Sequence, residues 1–305
     1  MRDLKKYEGV IPAFYACYDD QGEISPERVR ALVEYFLKKG VQGLYVNGSS
    51  GECIYQSVAD RKLILEEVMA VAKGKLTIIA HVACNNTKDS VELARHAKSL
   101  GVDAIAAIPP IYFRLPEYSV AQYWNDISAA APQIDFVIYN IPQLAGVALT
   151  PSLYTEMLKN ECVIGVKNSS MPVQDIQTFA ALGGEDHLVF NGPDEQFLGG
   201  RLMGARAGIG GTYGAMPELF LKLNQLIADK ELERAKELQF TINTIIGKLT
   251  AAHGNMYSVI KEVLKFNENM NIGSVRSQLT PVTDADRPIV EEAARLIRVA
   301  KETFL

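Results

Sequence analysis

The chain has 305 residues and a formal net charge of −5 at neutral pH. A negative balance of this size provides no basic field, so we expect neither nucleic acid nor an anionic membrane surface as a partner. Hydrophobic residues make up 48% of the chain and charged residues 22%, as in a globular protein with a sizeable core. The length fits either two domains or one large α/β barrel.

Cysteine usage and the N-terminal segment indicate a protein of the cytoplasm. Four cysteines lie far apart and form no C-x-x-C motif: Cys17, Cys53, Cys84 and Cys162. This pattern argues against a disulfide framework and a zinc site. Met1–Tyr7 is charged and lacks the apolar core of a signal peptide. No later apolar stretch is long enough to cross a bilayer, so a cytoplasmic location is expected.

Short apolar runs alternate with helical patterns through most of the chain. Such runs are typical of strands that are buried on both faces of a parallel sheet. The predicted strands are Gly9–Ala13, Gly43–Val46, Leu76–Val82, Ala104–Ile108, Phe136–Asn140, Val163–Lys167, Leu188–Asn191 and Ala207–Gly211. Strands with helices between them favour a (β/α)8 TIM barrel, with a doubly wound open sheet as the alternative.

Several predicted helices have readable ends. The first has Ser25 as its N-cap, Pro26 at its first position and Gly40 as its stop. Further helices begin near Ser57 and near Thr87. These two helices stop at Gly74 and Gly101, and each of the three stops is followed by a predicted strand, as a repeated β/α unit requires.

The C-terminal region has helical patterns only. Apolar spacing is clearest in Leu219–Ile227, Leu232–Leu249 and Val290–Ala300. We interpret the first as the last helix of the barrel and the others as an appendage packed on it. The predicted division is a catalytic barrel over residues 1–230 and a helical appendage over residues 231–305.

Two predicted strands end in residues that can perform chemistry. Lys167 follows the run Val163–Val166, and Tyr139 follows Phe136–Ile138. Burial favours the neutral form of an amine, which is a nucleophile toward ketones. Because one strand-plus-helix length separates the two residues, neighbouring parallel strands would present phenol and amine side by side. Taken singly, a snorkelling or salt-bridged lysine and a core tyrosine are the commoner roles.

A loop rich in glycine and serine follows the second predicted strand. Ser49 and Ser50 lie between Gly48 and Gly51, so backbone N–H groups and two hydroxyls can face one anion. In a barrel this loop lies at the C-terminal ends of the strands, where active sites are found. The pattern predicts a carboxylate or phosphate site, although an ordinary turn has the same composition.

Asp194 and Glu195 follow the seventh predicted strand. Together with Gly192 they could hold sugar hydroxyls, and they equally suit the first turn of a helix. Two adjacent acids do not make a metal site, and the histidines show no metal-ligand spacing, so we predict no metal. The segment Gly208–Tyr213 lacks the third glycine of a dinucleotide fingerprint, which disfavours a nucleotide-binding open sheet.

Four segments together resemble the pyruvate-dependent class I aldolase family that includes N-acetylneuraminate lyases and dihydrodipicolinate synthases. They are Gly48–Glu52, Tyr139–Pro142, Gly165–Lys167 and Gly208–Gly210, and the similarity spans nearly the whole chain. The lyase branch is the better match, because Leu144 stands where the synthases carry an arginine for a second carboxylate. The resemblance implies a homotetrameric (β/α)8 enzyme without a metal or organic cofactor.

The resemblance also implies the reversible cleavage of N-acetylneuraminate to pyruvate and N-acetylmannosamine. Lys167 would form the Schiff base with the substrate ketone, and Tyr139 would relay a proton to and from the C4 hydroxyl. The other implied contacts are Ser49 and Ser50 with the carboxylate, Ser169 beside the amine, Gly192, Asp194, Glu195 and Gly211 along the sugar chain, and Tyr112 with a neighbouring subunit's site.

Three positions depart from the commonest lyase pattern. Ser50 stands where threonine is frequent, Pro193 where an aromatic residue is frequent, and Gly211 where several lyases have serine. The change at Gly211 affects which N-acyl sugar is preferred. It leaves intact the residues that bind the pyruvate portion of the substrate. Two alternatives stay open: a sibling aldolase that acts on a 2-keto-3-deoxy sugar acid, and a non-catalytic sensor that binds a keto acid. The intact pair of Lys167 and Tyr139 disfavours the sensor.

Overall fold

The computed structural model describes residues 3–305. Within these residues, eight parallel strands form one sheet. They are β1 (Gly9–Pro12), β2 (Gly43–Val46), β3 (Thr77–His81), β4 (Ala104–Ala107), β5 (Asp135–Asn140), β6 (Val163–Asn168), β7 (Leu188–Asn191) and β8 (Ala207–Gly210). The predicted (β/α)8 barrel is confirmed. The first two residues of the predicted charged segment Met1–Tyr7 lie outside the described residues.

The barrel closes between β1 and β2. These two strands stand at the ends of the sheet order, and Ala13 pairs with Tyr45 in an isolated parallel bridge. The Phe14 N–H donates to the Tyr45 carbonyl at 2.9 Å, and the Gln42 N–H donates to the Val10 carbonyl at 3.0 Å. These bonds join the two outer strands and complete the cylinder.

Helices lie between successive strands along the chain and also follow β8, where the last of them form a C-terminal group. They are α1 (Pro26–Lys39), α2 (Val58–Ala72), α3 (Thr87–Leu100), α4 (Glu117–Ala130), α5 (Pro142–Ala145), α6 (Pro151–Met157), α7 (Gln174–Gly183), α8 (Phe197–Leu202), α9 (Pro217–Ala228), α10 (Leu232–Leu249), α11 (Met256–Glu268) and α12 (Arg287–Phe304). Ser25 caps α1 by accepting a hydrogen bond from the Arg28 N–H, and Gly40 ends it in the left-handed conformation. Both ends of α1 are as predicted.

The alternation of side chains along each strand creates two cores. In β5, Val137 and Tyr139 belong to the cluster inside the barrel. Phe136 and Ile138 belong to the larger cluster between the barrel and its helices. Tyr139 therefore faces the inside of the barrel near its C-terminal end, where barrel enzymes have their active sites.

The last three helices pack against the barrel and against one another. Helix α10 contacts α9 and α12, while α11 contacts α12 and the turn Tyr213–Ala215 that follows β8. The sequence patterns identified α10 and α12 but gave no separate helix at α11. The division at residue 230 stays a prediction. Across residues 3–305, no helix has the combined length and apolar character that a membrane span requires.

Gly165 in β6 is a position at which we expect any side chain to be strongly destabilising. Its φ is +147°, and a Cβ atom would lie 1.8 Å from the Leu188 carbonyl oxygen of β7. We expect Gly165→Ala to lower the free energy of unfolding by about 3 kcal/mol or more, because β6 and β7 would have to separate. Urea unfolding measures this change.

The control for this prediction is Gly247→Ala. Gly247 is exposed in α10, with open space where a Cβ would lie. Alanine should therefore stabilise the protein by roughly 0.5–1 kcal/mol through its higher helix propensity. If Gly165→Ala had the same stability as Gly247→Ala, the tight contact between β6 and β7 would not exist in solution.

Candidate active site

Lys167 and Tyr139 lie side by side at the C-terminal ends of β6 and β5. The two residues are direct partners in the parallel register. The Lys167 Nζ lies 4.0 Å from the centre of the Tyr139 ring and 4.3 Å from the centre of the Tyr45 ring. Only 5% of Lys167 and 3% of Tyr139 is exposed. The amine is therefore shielded from solvent and faces the phenol, as the strand pattern predicted.

The buried surroundings change the charge of Lys167. Burial lowers the pKa of its amine to about 7, although the nearby Asp194 carboxylate favours the charged form. An unperturbed lysine has a pKa of ~10.4 and is almost fully protonated at neutral pH. Here a large fraction of the amine is neutral near pH 7 and can attack a carbonyl carbon.

The Tyr139 phenol keeps its proton at neutral pH. Burial raises its pKa to about 12, while side-chain hydrogen bonds with Ser49 and Ser169 act in the opposite direction. Such hydrogen bonds favour the phenolate because they stabilise its negative charge. The phenol thus connects the serine loop after β2 with the residues that follow β6. This arrangement suits the donation and return of a proton beside the amine.

Amide side chains fix the ends of β5 and β6 relative to each other. The Asn140 Nδ2 donates to the Asn168 Oδ1 at 2.7 Å, and the Asn168 Nδ2 donates to the Ser170 Oγ at 2.8 Å. The Ser170 Oγ donates to the Asp175 Oδ2 at 2.6 Å. The two asparagines directly follow the phenol and the amine in sequence, so this network restricts the geometry of both reactive residues.

The predicted anion loop is a tight turn at the C-terminal end of β2. Ser49–Gly51 forms one turn of 3₁₀ helix. Ser49 hydrogen-bonds with Tyr139, and the Ser50 Oγ donates to the hydroxyl of Tyr257 on α11 at 3.2 Å. Both serines line the same cavity as the amine. The turn therefore presents two hydroxyl groups beside the reactive pair.

A cavity of about 270 Å³ opens at this end of the barrel. It contains every predicted site residue except Tyr112, namely Lys167, Tyr139, Ser49, Ser50, Ser169, Gly192, Asp194, Glu195 and Gly211. A larger cavity of about 620 Å³ adjoins it and shares Ser49, Leu144 and Tyr257. Because the amine and the phenol line only the smaller cavity, the chemistry belongs there.

Asp194 is buried and tied to the loop that follows β8. Its Oδ2 accepts hydrogen bonds from the Thr212 N–H at 2.6 Å and from the Thr212 Oγ1 at 2.5 Å. Burial raises the pKa of the Asp194 carboxyl to about 7, and the bonds from Thr212 oppose that rise. Glu195 is exposed and lines the same cavity. The two acids thus offer one buried and one solvated carboxyl group to a ligand.

Tyr112 lies outside the active-site cavity of its own chain. It is 88% exposed, and its φ of +88° is rare for a residue other than glycine. Its ring packs edge-on against Phe113, with 4.9 Å between ring centres. One chain alone therefore gives Tyr112 no contact with a substrate, and the role implied by resemblance requires a neighbouring subunit.

Three residues of the site were not among those predicted from the sequence: Tyr257, Thr212 and Tyr45. Tyr257 lies on α11, which packs at the mouth of the barrel although it is distant in sequence from the serine turn. Thr212 contributes indirectly, by hydrogen-bonding to Asp194. Tyr45 alone had a sequence signal, because it lies in the strand that leads into the serine turn. Within residues 3–305, no group of three or more His, Cys, Asp and Glu side chains is arranged to hold a metal ion.

Comparisons with known proteins point to one family. The model of the dihydrodipicolinate synthetase family matches residues 6–297. An N-acetylneuraminate lyase of Mediterraneibacter gnavus is 67% identical over 305 residues, which cover 100% of this chain and 97% of that protein.

Solved structures agree with the sequence comparisons. A catalytic-lysine mutant of the Ruminococcus gnavus sialic acid aldolase has a TM-score of 0.99 at 66% identity, with 100% of both chains covered. The Clostridium difficile protein CdNal, solved in complex with mannosamine, has a TM-score of 0.91 at 27% identity, covering 96% of this chain and 99% of that one. Since the family model spans nearly all of the barrel and its C-terminal helices, the chain belongs to the dihydrodipicolinate synthetase family.

Proposed function

We propose that the protein is a carbon–carbon lyase that cleaves N-acetylneuraminate reversibly to pyruvate and N-acetylmannosamine. The observation that carries the proposal is the shielded Lys167 amine, with its pKa lowered to about 7, against the ring of Tyr139. The relatives support the substrate: one is an N-acetylneuraminate lyase, and another is a sialic acid aldolase with a catalytic lysine.

The first step is imine formation at Lys167. The neutral amine attacks the C2 ketone carbon of the open-chain sugar acid, and the resulting carbinolamine takes up one proton and loses water to leave a positively charged iminium. The rings of Tyr45 and Tyr139 lie within 4.3 Å of the Nζ. Their electron-rich faces can stabilise the iminium cation. Because the buried amine is already partly neutral, no strong base is needed to start the reaction.

The second step breaks the bond between C3 and C4. Its electron pair moves into the iminium, which becomes a neutral enamine, while the C4 hydroxyl donates its proton to the Tyr139 oxygen and the Tyr139 phenol passes its own proton on to the substrate carboxylate. In the reverse direction the protonated phenol donates that proton to the aldehyde oxygen, as suits its pKa of about 12. Protonation of the enamine at C3 and hydrolysis of the imine then release pyruvate.

The remaining site residues position the substrate. Ser49 and Ser50 bind the carboxylate, which aligns the breaking bond with the iminium. Ser169 lies beside the amine, and Gly192, Asp194 and Glu195 bind the sugar chain. At Gly211 a Cβ atom would lie 3.2 Å from the Ser50 Oγ and 3.3 Å from the Tyr257 hydroxyl oxygen. The Tyr257 phenol thus occupies space that a serine side chain at this position would need.

Product analysis tests the choice of substrate. The alternative is a sibling aldolase that cleaves a 2-keto-3-deoxy sugar acid through the same pyruvate half. The purified enzyme is incubated separately with N-acetylneuraminate and with 2-keto-3-deoxygluconate, pyruvate release is followed, and the sugar product is identified by chromatography. Faster pyruvate release from 2-keto-3-deoxygluconate would replace the proposed substrate with the alternative.

The proposed reaction needs no metal or organic cofactor, because the iminium itself accepts the electron pair of the breaking bond. Turnover should therefore persist after exhaustive dialysis against EDTA. Activity that disappeared on dialysis and returned with a divalent metal would contradict this part of the proposal.

The proposed location is the cytoplasm. It is supported by four unpaired cysteines, Cys17, Cys53, Cys84 and Cys162, as expected in a reducing compartment. Fractionation of the source cells, with antibody detection of the enzyme, tests this assignment.

The proposed assembly is a homotetramer in which Tyr112 reaches the active site of a neighbouring subunit. Support comes from the exposed aromatic pair of Tyr112 and Phe113 and from the constrained backbone at Tyr112. We expect Tyr112→Ala to lower kcat/KM by about tenfold or more. Tyr118→Ala, at a residue 77% exposed on α4, should retain the parent value.

Sedimentation velocity and steady-state kinetics on the same samples test this assembly. The parent enzyme should sediment as one tetrameric species at assay concentrations. A fully active monomer, or equal activity of the Tyr112→Ala and Tyr118→Ala variants, would refute the shared site.

A further inference from the structure

A buried carboxylate ends the serine turn. Glu52 directly follows Ser49–Gly51, and its N–H donates to the Ser49 carbonyl at 3.0 Å. Its φ of +57° is in the left-handed region, which a residue other than glycine adopts only when its surroundings enforce it. The conformation of Glu52 therefore sets the exit direction of the turn and must be held by its side-chain contacts.

Those contacts come mainly from the C-terminal part of the chain. The Glu52 Oε1 accepts from the Nζ of Lys261 on α11 at 2.9 Å, and neither side chain is exposed. The Glu52 Oε2 accepts from the Tyr18 hydroxyl at 3.0 Å and from the Arg276 N–H at 2.9 Å. Lys261 also donates to the Ser274 carbonyl. Both charges are thus enclosed and hydrogen-bonded.

A buried ion pair is weak support for stability. Removing two charges from water costs about as much as their attraction returns, and apolar residues of similar volume often replace such pairs without loss. The better-attested value of a buried polar pair is that it selects one geometry over others. In this protein the selected geometry is that of the turn between β2 and α2.

Helix α11 contacts the same turn at a second point. Tyr257 precedes Lys261 by one helical turn, so both side chains lie on one face of α11. The Tyr257 hydroxyl is 3.2 Å from the Ser50 Oγ, and the Lys261 Nζ is 2.9 Å from the Glu52 Oε1. One face of the C-terminal helix therefore engages both the serine hydroxyl and the carboxylate that ends the turn.

We propose that the buried pair of Glu52 and Lys261 is a positioning device, through which α11 holds Ser49 and Ser50 in the shape that binds the substrate carboxylate. The inference rests on the proposed function, because it assumes that this turn binds the carboxylate of pyruvate and of the sugar acid. Glu52 and Lys261 do not touch the substrate. They determine how strongly a keto acid is preferred over a ketone without a carboxylate.

The test measures this preference through imine formation at Lys167. The enzyme is incubated with pyruvate or with acetone, the imine is reduced with cyanoborohydride, and the concentration dependence of trapping is measured by mass spectrometry. The variants are Glu52→Gln, Lys261→Met and the milder Tyr18→Phe. Glu268→Gln is the matched control, because Glu268 lies on α11 and pairs with Lys39 at 3.0 Å, away from the turn.

We expect Glu52→Gln and Lys261→Met to reduce the preference for pyruvate over acetone by about tenfold, because acetone trapping does not depend on the turn. Tyr18→Phe should reduce it less, in the same direction, and this variant decides the question if the other two fail to fold. Glu268→Gln should keep the parent ratio. A merely structural role would lower the trapping of both ketones equally.

An unchanged ratio in the variants that fold, or an equal fall in Glu268→Gln, overturns the inference. If the parent enzyme traps no pyruvate at all, the proposed function is wrong and the inference falls with it. If the parent traps pyruvate and the ratio does not respond, the proposed function stands and only the positioning role is lost.

Discussion

Lys167→Ala should abolish both cleavage of N-acetylneuraminate and covalent trapping of pyruvate on the protein. Without the amine there is no iminium, so the electron pair of the C3–C4 bond has no acceptor. We expect turnover to fall by at least about 10⁴-fold, as when a covalent nucleophile is removed from other enzymes. Incubation with pyruvate and borohydride, followed by mapping of the modified peptide, measures trapping, and pyruvate release measures turnover.

The control is Lys159→Ala. Lys159 is a surface residue whose side chain is 70% exposed and paired with Glu156, so this variant should trap pyruvate and turn over substrate like the parent. Full trapping in the Lys167→Ala variant would remove Lys167 from the mechanism. Trapping mapped to another lysine in the parent enzyme would have the same consequence.

The same amine gives the reaction a defined pH dependence. Burial lowers the pKa of Lys167 to about 7, so the amine is mostly protonated below that pH and mostly neutral above it. The rate of imine formation should therefore rise as the pH increases toward 7 and level off above it. Cyanoborohydride trapping rates across this range test the expectation. A rate that kept rising toward pH ~10 would indicate an unperturbed lysine.

The sequence predicted the barrel because its signals are local. Each strand is a short apolar run, and helix ends such as Ser25 and Gly40 are set by residues adjacent in sequence. Lys167 and Tyr139 could be paired because parallel strands that are consecutive in a barrel have fixed neighbours. Their proximity follows from topology alone, without any knowledge of side-chain contacts.

The contribution of α11 could not be predicted in the same way. Tyr257 and Lys261 are more than two hundred positions from Ser50 and Glu52 in the chain, separated by 207 and 209 residues respectively. No periodicity or motif in the sequence indicates which of the C-terminal helices packs at the mouth of the barrel. The proposed role of Tyr112 depends on quaternary structure, because the active site that it would contact belongs to another copy of the chain.

Tyr139→Phe should separate imine formation from carbon–carbon cleavage. The phenylalanine ring can still pack against the Lys167 Nζ, which lies 4.0 Å from the ring centre in the parent protein, so pyruvate trapping should be retained. Cleavage should slow by ~10²–10⁴-fold, the usual contribution of one positioned proton donor or acceptor. Single-turnover measurements with N-acetylneuraminate resolve the two steps.

Tyr45→Phe is the matched control, because its ring also flanks the Lys167 Nζ, at 4.3 Å. Among the described residues its hydroxyl has no hydrogen-bond partner, whereas the Tyr139 hydroxyl is bonded to Ser49 and Ser169. Removing the Tyr45 hydroxyl should therefore leave most of the cleavage rate intact, while removing that of Tyr139 takes away the proton route. Unchanged cleavage in Tyr139→Phe would rule out its phenol as the relay and leave the C4 proton to a water molecule or to the substrate carboxylate.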